Sequence, residues 1–157
     1  MKPRSSAAWL AVLLRIFLGG FYVVAGMVKI ADPGHFAEAV ANYRLVPHDL
    51  TNLVAITLPW IEITSGLLLI FGVWLQASAW LINAMTLVFI AGIASAVARG
   101  LNIECGCFGT VGGRQVGLTA IAEDLGLLAC GLWILWKQRT TPDHPATADL
   151  AVPSPAP

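Results

Sequence analysis

Charged side chains are scarce in this sequence: Asp, Glu, Lys and Arg together make up 11% of its 157 residues. Soluble globular domains carry about 25% charged residues, so this composition excludes an ordinary water-exposed surface. The 9 basic and 9 acidic residues cancel, and no basic patch or acidic tail of the kind that binds nucleic acid is present. We therefore expect the lipid bilayer to be the surrounding medium, and we expect no nucleic-acid partner.

Cysteine is also rare, and two of the three cysteines lie in one run, IECGCFG at residues 103–109. The Cys105 and Cys107 thiols can cycle between dithiol and disulfide or hold a soft metal ion, and Gly106 and Gly109 supply the flexible backbone that both uses need. A disulfide closed over one residue is strained, and strained disulfides tend to be exchangeable. The pair is therefore the predicted reactive centre of the chain.

What the chain has in abundance is long apolar segments. Each is about 20 residues long, enough to cross a bilayer, and none alternates as a strand would, so we expect helices. The predicted spans are residues 7–30, 53–74, 76–98 and 116–136. The sequence predicts an all-α bundle of four transmembrane helices over residues 7–139, after a short N-terminus at 1–6 and before a disordered Pro-rich tail at 140–157.

The number of basic residues on each side of the bundle does not decide its orientation in the membrane. Four basic residues flank one side of the bundle and four flank the other: Lys2, Arg4, Lys137 and Arg139 against Lys29, Arg44, Arg99 and Arg114. The first helix usually dominates, which favours both termini in the cytoplasm and the cysteine loop in the periplasm.

Polar residues within the predicted helices are expensive, because a central charge costs roughly 3 kcal/mol on insertion scales. Glu62 and Asp124 are expected below the surface that carries the cysteine loop, with Lys29 at that surface and Tyr22 two turns deeper. The resulting polar patch has two interpretations. It is a set of structural ion pairs, or it is a proton relay and tuning shell for the thiols.

Small residues predict where helices approach closely. They are Gly19, Gly20, Gly26, Gly92, Ala96, Gly126 and Cys130. Because Cys130 lies in mid-helix at the fourth position after Gly126, we interpret it as a packing residue rather than a reactive thiol.

Four stretches of the chain together resemble a known family. They are RIFLGGFYVVAGMVKIADP at residues 15–33, YRLVP at 43–47, LPWIEITSG at 58–66 and CGCFG at 105–109. The pattern is similar to DoxX-like and MauE-like membrane proteins, and the CGCFG loop is typical of the MauE (methylamine utilisation) branch. The resemblance implies a four-helix inner-membrane protein with its cysteine loop near the periplasmic face. It also implies maturation of the disulfide-rich small subunit of methylamine dehydrogenase, beside a thioredoxin-like partner.

Three mechanisms remain open for the cysteine pair. The first is thiol–disulfide exchange with a periplasmic thioredoxin-like protein or cysteine-rich client. Positive charge from Lys29, Arg99 and Arg114 would favour the attacking thiolate. A membrane quinone could accept or donate the electrons, with Tyr22 or Trp60 lining its site.

The second mechanism is soft-metal binding or transport, because two neighbouring thiolates suit Cu(I) or Hg(II). His35 and His48 could complete a zinc site, although the spacing differs from ordinary zinc motifs. The third is a permanent disulfide staple, which at this spacing would constrain the unfolded chain very little.

Overall fold

The computed structural model describes residues 6–101, 103 and 117–140, and these residues form five helices. The helices are α1 (Ser6–Ala31), α2 (Pro33–Asn42), α3 (His48–Phe71), α4 (Leu75–Ala98) and α5 (Leu118–Thr140). All but α2 are long and apolar enough to span a membrane. The predicted all-α bundle of four transmembrane helices is thereby confirmed, and the chain is a multi-pass membrane protein. The N-terminus and the Pro-rich tail lie almost entirely outside the described residues.

Helix α2 is an element that the hydrophobicity pattern did not predict, because it lies in the connection between the first two membrane spans. The Asp32 carboxylate caps it by accepting a 3.1 Å hydrogen bond from the His35 backbone N–H, and Pro33 begins its first turn. Both residues are favoured at helix starts. The chain then enters α3 at His48, five residues before the predicted start of that span. Phe36 and Ala39 of α2 are buried against the bundle.

The turn between α3 and α4 is tight, as expected from predicted spans that leave one residue between them, but α3 ends at Phe71 because Gly72 adopts a left-handed conformation (φ 78°). The backbone N–H groups of Gly72 and Val73 both donate to the Leu68 carbonyl at 3.0 Å. This arrangement satisfies carbonyls that the helix end leaves without partners.

Arg15 of α1 completes the cap on α3. Its guanidinium donates to the Leu69 carbonyl at 3.2 Å and to the Ile70 carbonyl at 3.4 Å. A cation at a helix C-terminus also interacts favourably with the helix dipole. The arginine that interrupts the first apolar run therefore fastens α1 to the end of α3.

Helices α1 and α3 pack most closely, and glycines set their distance. A Cβ atom on Gly19 would lie 2.6 Å from the Gly66 carbonyl oxygen, and one on Gly26 would lie 2.7 Å from the Pro59 carbonyl oxygen. The predicted packing roles of Gly19 and Gly26 are therefore confirmed. The predicted packing roles of Gly20 and Gly126 are wrong, because a Cβ at either position would have no described neighbour within 4 Å.

On α5 the close-packing glycine is Gly131 instead of Gly126. A Cβ on Gly131 would lie 2.5 Å from the Asn83 side-chain oxygen of α4. Cys130, next to it, is a free, half-buried thiol.

We expect Gly19→Ala to destabilise the protein by about 1–3 kcal/mol, because the added methyl group would force the α3 backbone away. The matched control is Gly20→Ala on the same helix, where the surroundings are open and the higher helix propensity of alanine favours the folded state. SDS-induced unfolding in mixed micelles measures both variants. If the two variants had equal free energies of unfolding, helices α1 and α3 would be able to move apart without loss of stability.

The antiparallel order divides the bundle into two ends. The main apolar core lies toward the α3–α4 turn and includes Leu18, Leu69, Ile82 and Leu127. At the opposite end α1 and α4 terminate and α3 and α5 begin, and α2 packs there against α3 and α1. We call this the α2 end of the bundle.

Candidate functional site

A buried ion pair lies between α1 and α3 toward the α2 end. The Lys29 Nζ atom is 2.6 Å from Glu62 Oε1, and the two side chains are 4% and 1% exposed. A buried charge must be paired because desolvation costs several kcal/mol per ion. The polar patch predicted from sequence is thus built around a direct Lys29–Glu62 contact.

Two aromatic rings enclose the same ammonium group. Lys29 Nζ lies 5.3 Å from the centre of the Phe36 ring on α2 and 5.4 Å from that of Phe89 on α4. Cations are attracted to aromatic faces at this range, more strongly where water is excluded. Sequence reasoning missed both phenylalanines, since nothing in their local pattern distinguishes them from ordinary apolar residues.

Asp124 of α5 is the third charged group in this region. Its side chain is 8% exposed and interacts electrostatically with Lys29 and with its neighbour Glu123. Among the described residues, neither Asp124 Oδ2 nor Glu62 Oε2 has a hydrogen-bond partner, although both atoms are buried. Glu62 and Asp124 therefore share the Lys29 ammonium group. Each carboxylate keeps one oxygen that can accept a proton.

Tyr22, which the sequence placed in the same patch, links α1 to α4. Its hydroxyl lies 2.6 Å from Thr86 Oγ1, and the Thr86 hydroxyl in turn donates to the Ile82 carbonyl at 2.8 Å. Trp60 is 58% exposed on the surface of α3 that would face lipid. Tyr22 therefore holds helices together in the interior, whereas Trp60 lies at the periphery.

Arg99 lies just beyond the C-terminus of α4 and reaches the connection between α2 and α3. Its guanidinium donates to the Tyr43 carbonyl and, at 3.1 Å, to the Ser95 carbonyl. Arg99 thus anchors the α2–α3 connection to α4 at the α2 end of the bundle.

The predicted reactive residues lie outside the described residues: Cys105, Cys107, Gly106, Gly109 and Arg114. Their position in the chain nevertheless relates them to the ion pair. Helix α4 ends at Ala98 and α5 begins at Leu118, both at the α2 end. The segment that carries the cysteines therefore joins two helices at the end of the bundle to which Lys29 belongs.

A pocket of about 150 Å³ opens beside Lys29. Helices α2, α3 and α4 and the α2–α3 connection form its walls, which are almost entirely apolar. The residues that line it are Lys29, Phe36, Ala39, Val40, Tyr43, Leu45, Val46, Val54, Leu58, Val88, Phe89, Gly92 and Ile93. Lys29 is the charged residue among those that line the pocket.

These features define a class of protein: a small polytopic helical membrane protein with a buried lysine–carboxylate cluster and an adjoining apolar pocket. A profile of the family described as "Methylamine utilisation protein MauE" matches residues 7–137. The chain belongs to the MauE family.

Individual relatives agree with this assignment. Each is named "Methylamine utilization protein MauE". The protein from Paracoccus denitrificans is 33% identical over 122 residues, covering 77% of this chain and 66% of the relative. Those from Methylorubrum extorquens and Methylophilus methylotrophus are 28% and 27% identical, over 82% and 79% of this chain and 70% and 66% of the relatives. The chain thus spans about two thirds of the length of these relatives. No solved structure matches it.

Proposed function

We propose that this protein is an inner-membrane thiol–disulfide exchange or maturation factor of methylamine utilisation, acting through Cys105 and Cys107. The observation that carries the proposal is the position of the cysteine segment, which joins α4 to α5 at the end of the bundle that holds the Lys29–Glu62 pair. The names of the relatives support the physiological context. The partner in this proposal is a periplasmic thioredoxin-like protein or cysteine-rich client.

In the exchange step, a thiolate of the pair attacks a disulfide sulfur of the partner. A mixed disulfide forms, the second partner sulfur leaves as a thiolate, and the remaining thiol of the pair then resolves the mixed disulfide. Each attacking thiol must first lose a proton. Glu62 and Asp124 are suited to accept it, because each retains a buried oxygen without a described partner. Arg99 and Arg114 would favour the thiolate electrostatically, and Lys29 would hold the two carboxylates.

The orientation that fits this chemistry has both termini in the cytoplasm and the cysteine loop in the periplasm, where disulfides persist. Thiol labelling in intact cells tests orientation and redox state together. A membrane-impermeant maleimide is applied before and after mild reduction, and mass spectrometry reports each cysteine. We expect Cys105 and Cys107 to react only after reduction. The matched control is Cys105→Ser/Cys107→Ser, in which only Cys130 of α5 remains and should stay unlabelled.

The other outcomes each contradict part of the proposal. Labelling without reduction that Cu(I) or Hg(II) blocks would favour the soft-metal module instead. Absence of labelling until the membrane is permeabilised would place the loop in the cytoplasm. Cysteines in a permanent disulfide staple would also react with the maleimide only after reduction, but they would form no mixed disulfide with a partner. Cys107→Ser is therefore also tested for covalent capture of a periplasmic protein on non-reducing gels.

A further inference from the structure

The Lys29 ammonium has hydrogen-bonding capacity that the described residues do not use. It carries three donors, and its only described acceptor is Glu62 Oε1. The Phe36 and Phe89 rings lie 5.3 Å and 5.4 Å from it without accepting a conventional hydrogen bond, and both residues also line the apolar pocket. A buried cation with spare donors at the wall of an apolar cavity is suited to a ligand that offers an oxygen acceptor on an apolar body.

The charges around Lys29 restrict that ligand further. Glu62 already neutralises the ammonium at 2.6 Å, and Asp124 interacts with it electrostatically. An anionic head group would be repelled by two carboxylates and would have to be desolvated. A neutral carbonyl oxygen needs only the free N–H donors, so the pocket favours a neutral carbonyl compound over a phosphate or a fatty acid.

The size of the pocket limits the apolar body. A cavity of about 150 Å³ holds roughly one six-membered carbon ring. We propose that this pocket binds the ring of a membrane quinone, with one quinone carbonyl accepting a hydrogen bond from Lys29. The site is distinct from Tyr22 and Trp60, because neither lines the pocket.

The redox consequence rests on the proposed thiol chemistry run in the oxidising direction, in which the thiols of a client give two electrons to the Cys105–Cys107 disulfide, the client becomes a disulfide and the pair becomes a dithiol. Oxidation of the Cys105–Cys107 dithiol to a disulfide releases two electrons and two protons. A quinone that takes up both becomes a quinol, so atoms and electrons balance without another reactant. The cluster beside the pocket contains carboxylates that can relay those protons.

Binding is tested on the Cys105→Ser/Cys107→Ser protein in nanodiscs, so that the result does not depend on thiol chemistry. The probe is a short-tailed photoreactive azidoquinone, and decylubiquinone is the competitor. We expect the crosslinks in peptides that contain residues 36–46 and 88–93, and we expect decylubiquinone to prevent them. Crosslinks elsewhere, or crosslinks that added phosphatidylglycerol or diacylglycerol prevents equally well, would overturn the quinone assignment in favour of a lipid.

Two substitutions test the geometry. Gly92→Leu, on the α4 wall, should fill the pocket, because a Cβ there already lies 3.7 Å from Leu45 and 3.8 Å from Tyr43. We expect it to abolish specific crosslinking, whereas the control Gly126→Leu, at an open glycine of α5, should leave crosslinking unchanged. Lys29→Met/Glu62→Met, which removes the ion pair as a whole, should weaken decylubiquinone competition about tenfold, the effect of one lost hydrogen bond to the quinone, and unchanged competition would contradict that bond. Equal crosslinking in Gly92→Leu and Gly126→Leu would exclude this pocket.

A second measurement separates this inference from the proposed function. The dithiol protein is mixed with decylubiquinone, and quinol absorbance and free thiols are followed together. Specific quinone binding without quinol formation would support the pocket as a quinone site and contradict the redox step. If the protein exchanges disulfides with a thioredoxin-like protein but shows no specific quinone crosslink, the proposed function is supported. The assignment of the pocket to a quinone is then contradicted.

Discussion

Replacing Cys105 or Cys107 with serine should lower the rate of thiol exchange by at least about 100-fold, because a serine hydroxyl cannot replace a thiolate as nucleophile or leaving group. The measurement is the rate at which the purified protein in nanodiscs reduces or oxidises a thioredoxin-like substrate. Membrane abundance is measured in parallel by immunoblot. We expect abundance to stay unchanged, because neither thiol belongs to the four membrane-spanning helices.

The matched control is Cys130→Ala. Cys130 is half-buried in α5, and removing one sulfur atom from a partly exposed site costs little packing. This variant should keep its exchange rate and its abundance. If Cys130→Ala were as damaging as the loop substitutions, the assignment of the chemistry to the Cys-x-Cys pair would be wrong.

The membrane helices could be predicted because lipid imposes a simple rule: about 20 apolar residues must satisfy their backbone hydrogen bonds within one segment. Predicting where the helices end requires the local capping interactions as well. Gly72 ends α3 three residues before the predicted limit at Trp74, and Asp32 with Pro33 begins a helix where only a connection was expected. These capping signals are present in the sequence, and the hydrophobic pattern does not contain them.

Part of the site could also be predicted. Charges such as Lys29 and Glu62 are too costly in a bilayer to occur without partners, so a polar cluster could be predicted, whereas the specific Lys29–Glu62 pair depends on how α1 packs against α3. The contacts of Phe36 and Phe89 could not be foreseen, because they depend on the tertiary arrangement that brings α2 and α4 to the same ammonium group of α1. The close-packing role of Gly131 likewise depends on the register between α4 and α5.

The structural role of the cluster and its proposed role as a proton relay make different demands on the same residues. Lys29 connects α1 to α3 through Glu62, to α2 through Phe36 and to α4 through Phe89. A purely structural pair would be expected to satisfy its remaining polar atoms, yet one oxygen of Glu62 has no partner among the described residues. A variant that preserves packing while removing both charges can separate the two roles.

Lys29→Met should destabilise the protein by about 3–5 kcal/mol, because it leaves Glu62 as a buried carboxylate without its cation. SDS-induced unfolding in mixed micelles gives the free energy of unfolding. The matched control is Lys137→Met near the end of α5, where the ammonium lies 5.4 Å from the Trp133 ring and the side chain is only partly buried. That variant should lose less than about 1 kcal/mol.

The double variant Lys29→Met/Glu62→Met should recover most of the lost stability, since replacing a whole buried ion pair by apolar residues of similar volume is often neutral or stabilising. If the cluster relays protons for the thiols, this stable protein should still exchange disulfides more slowly than the unmodified chain. It should also lose the pH dependence that the carboxylate imposes on the rate. Recovery of both stability and full activity would contradict the relay and leave the pair a purely structural role. Failure of the double variant to recover stability would show instead that Lys29 acts through other partners as well, namely its electrostatic interaction with Asp124 and its contacts with Phe36 and Phe89.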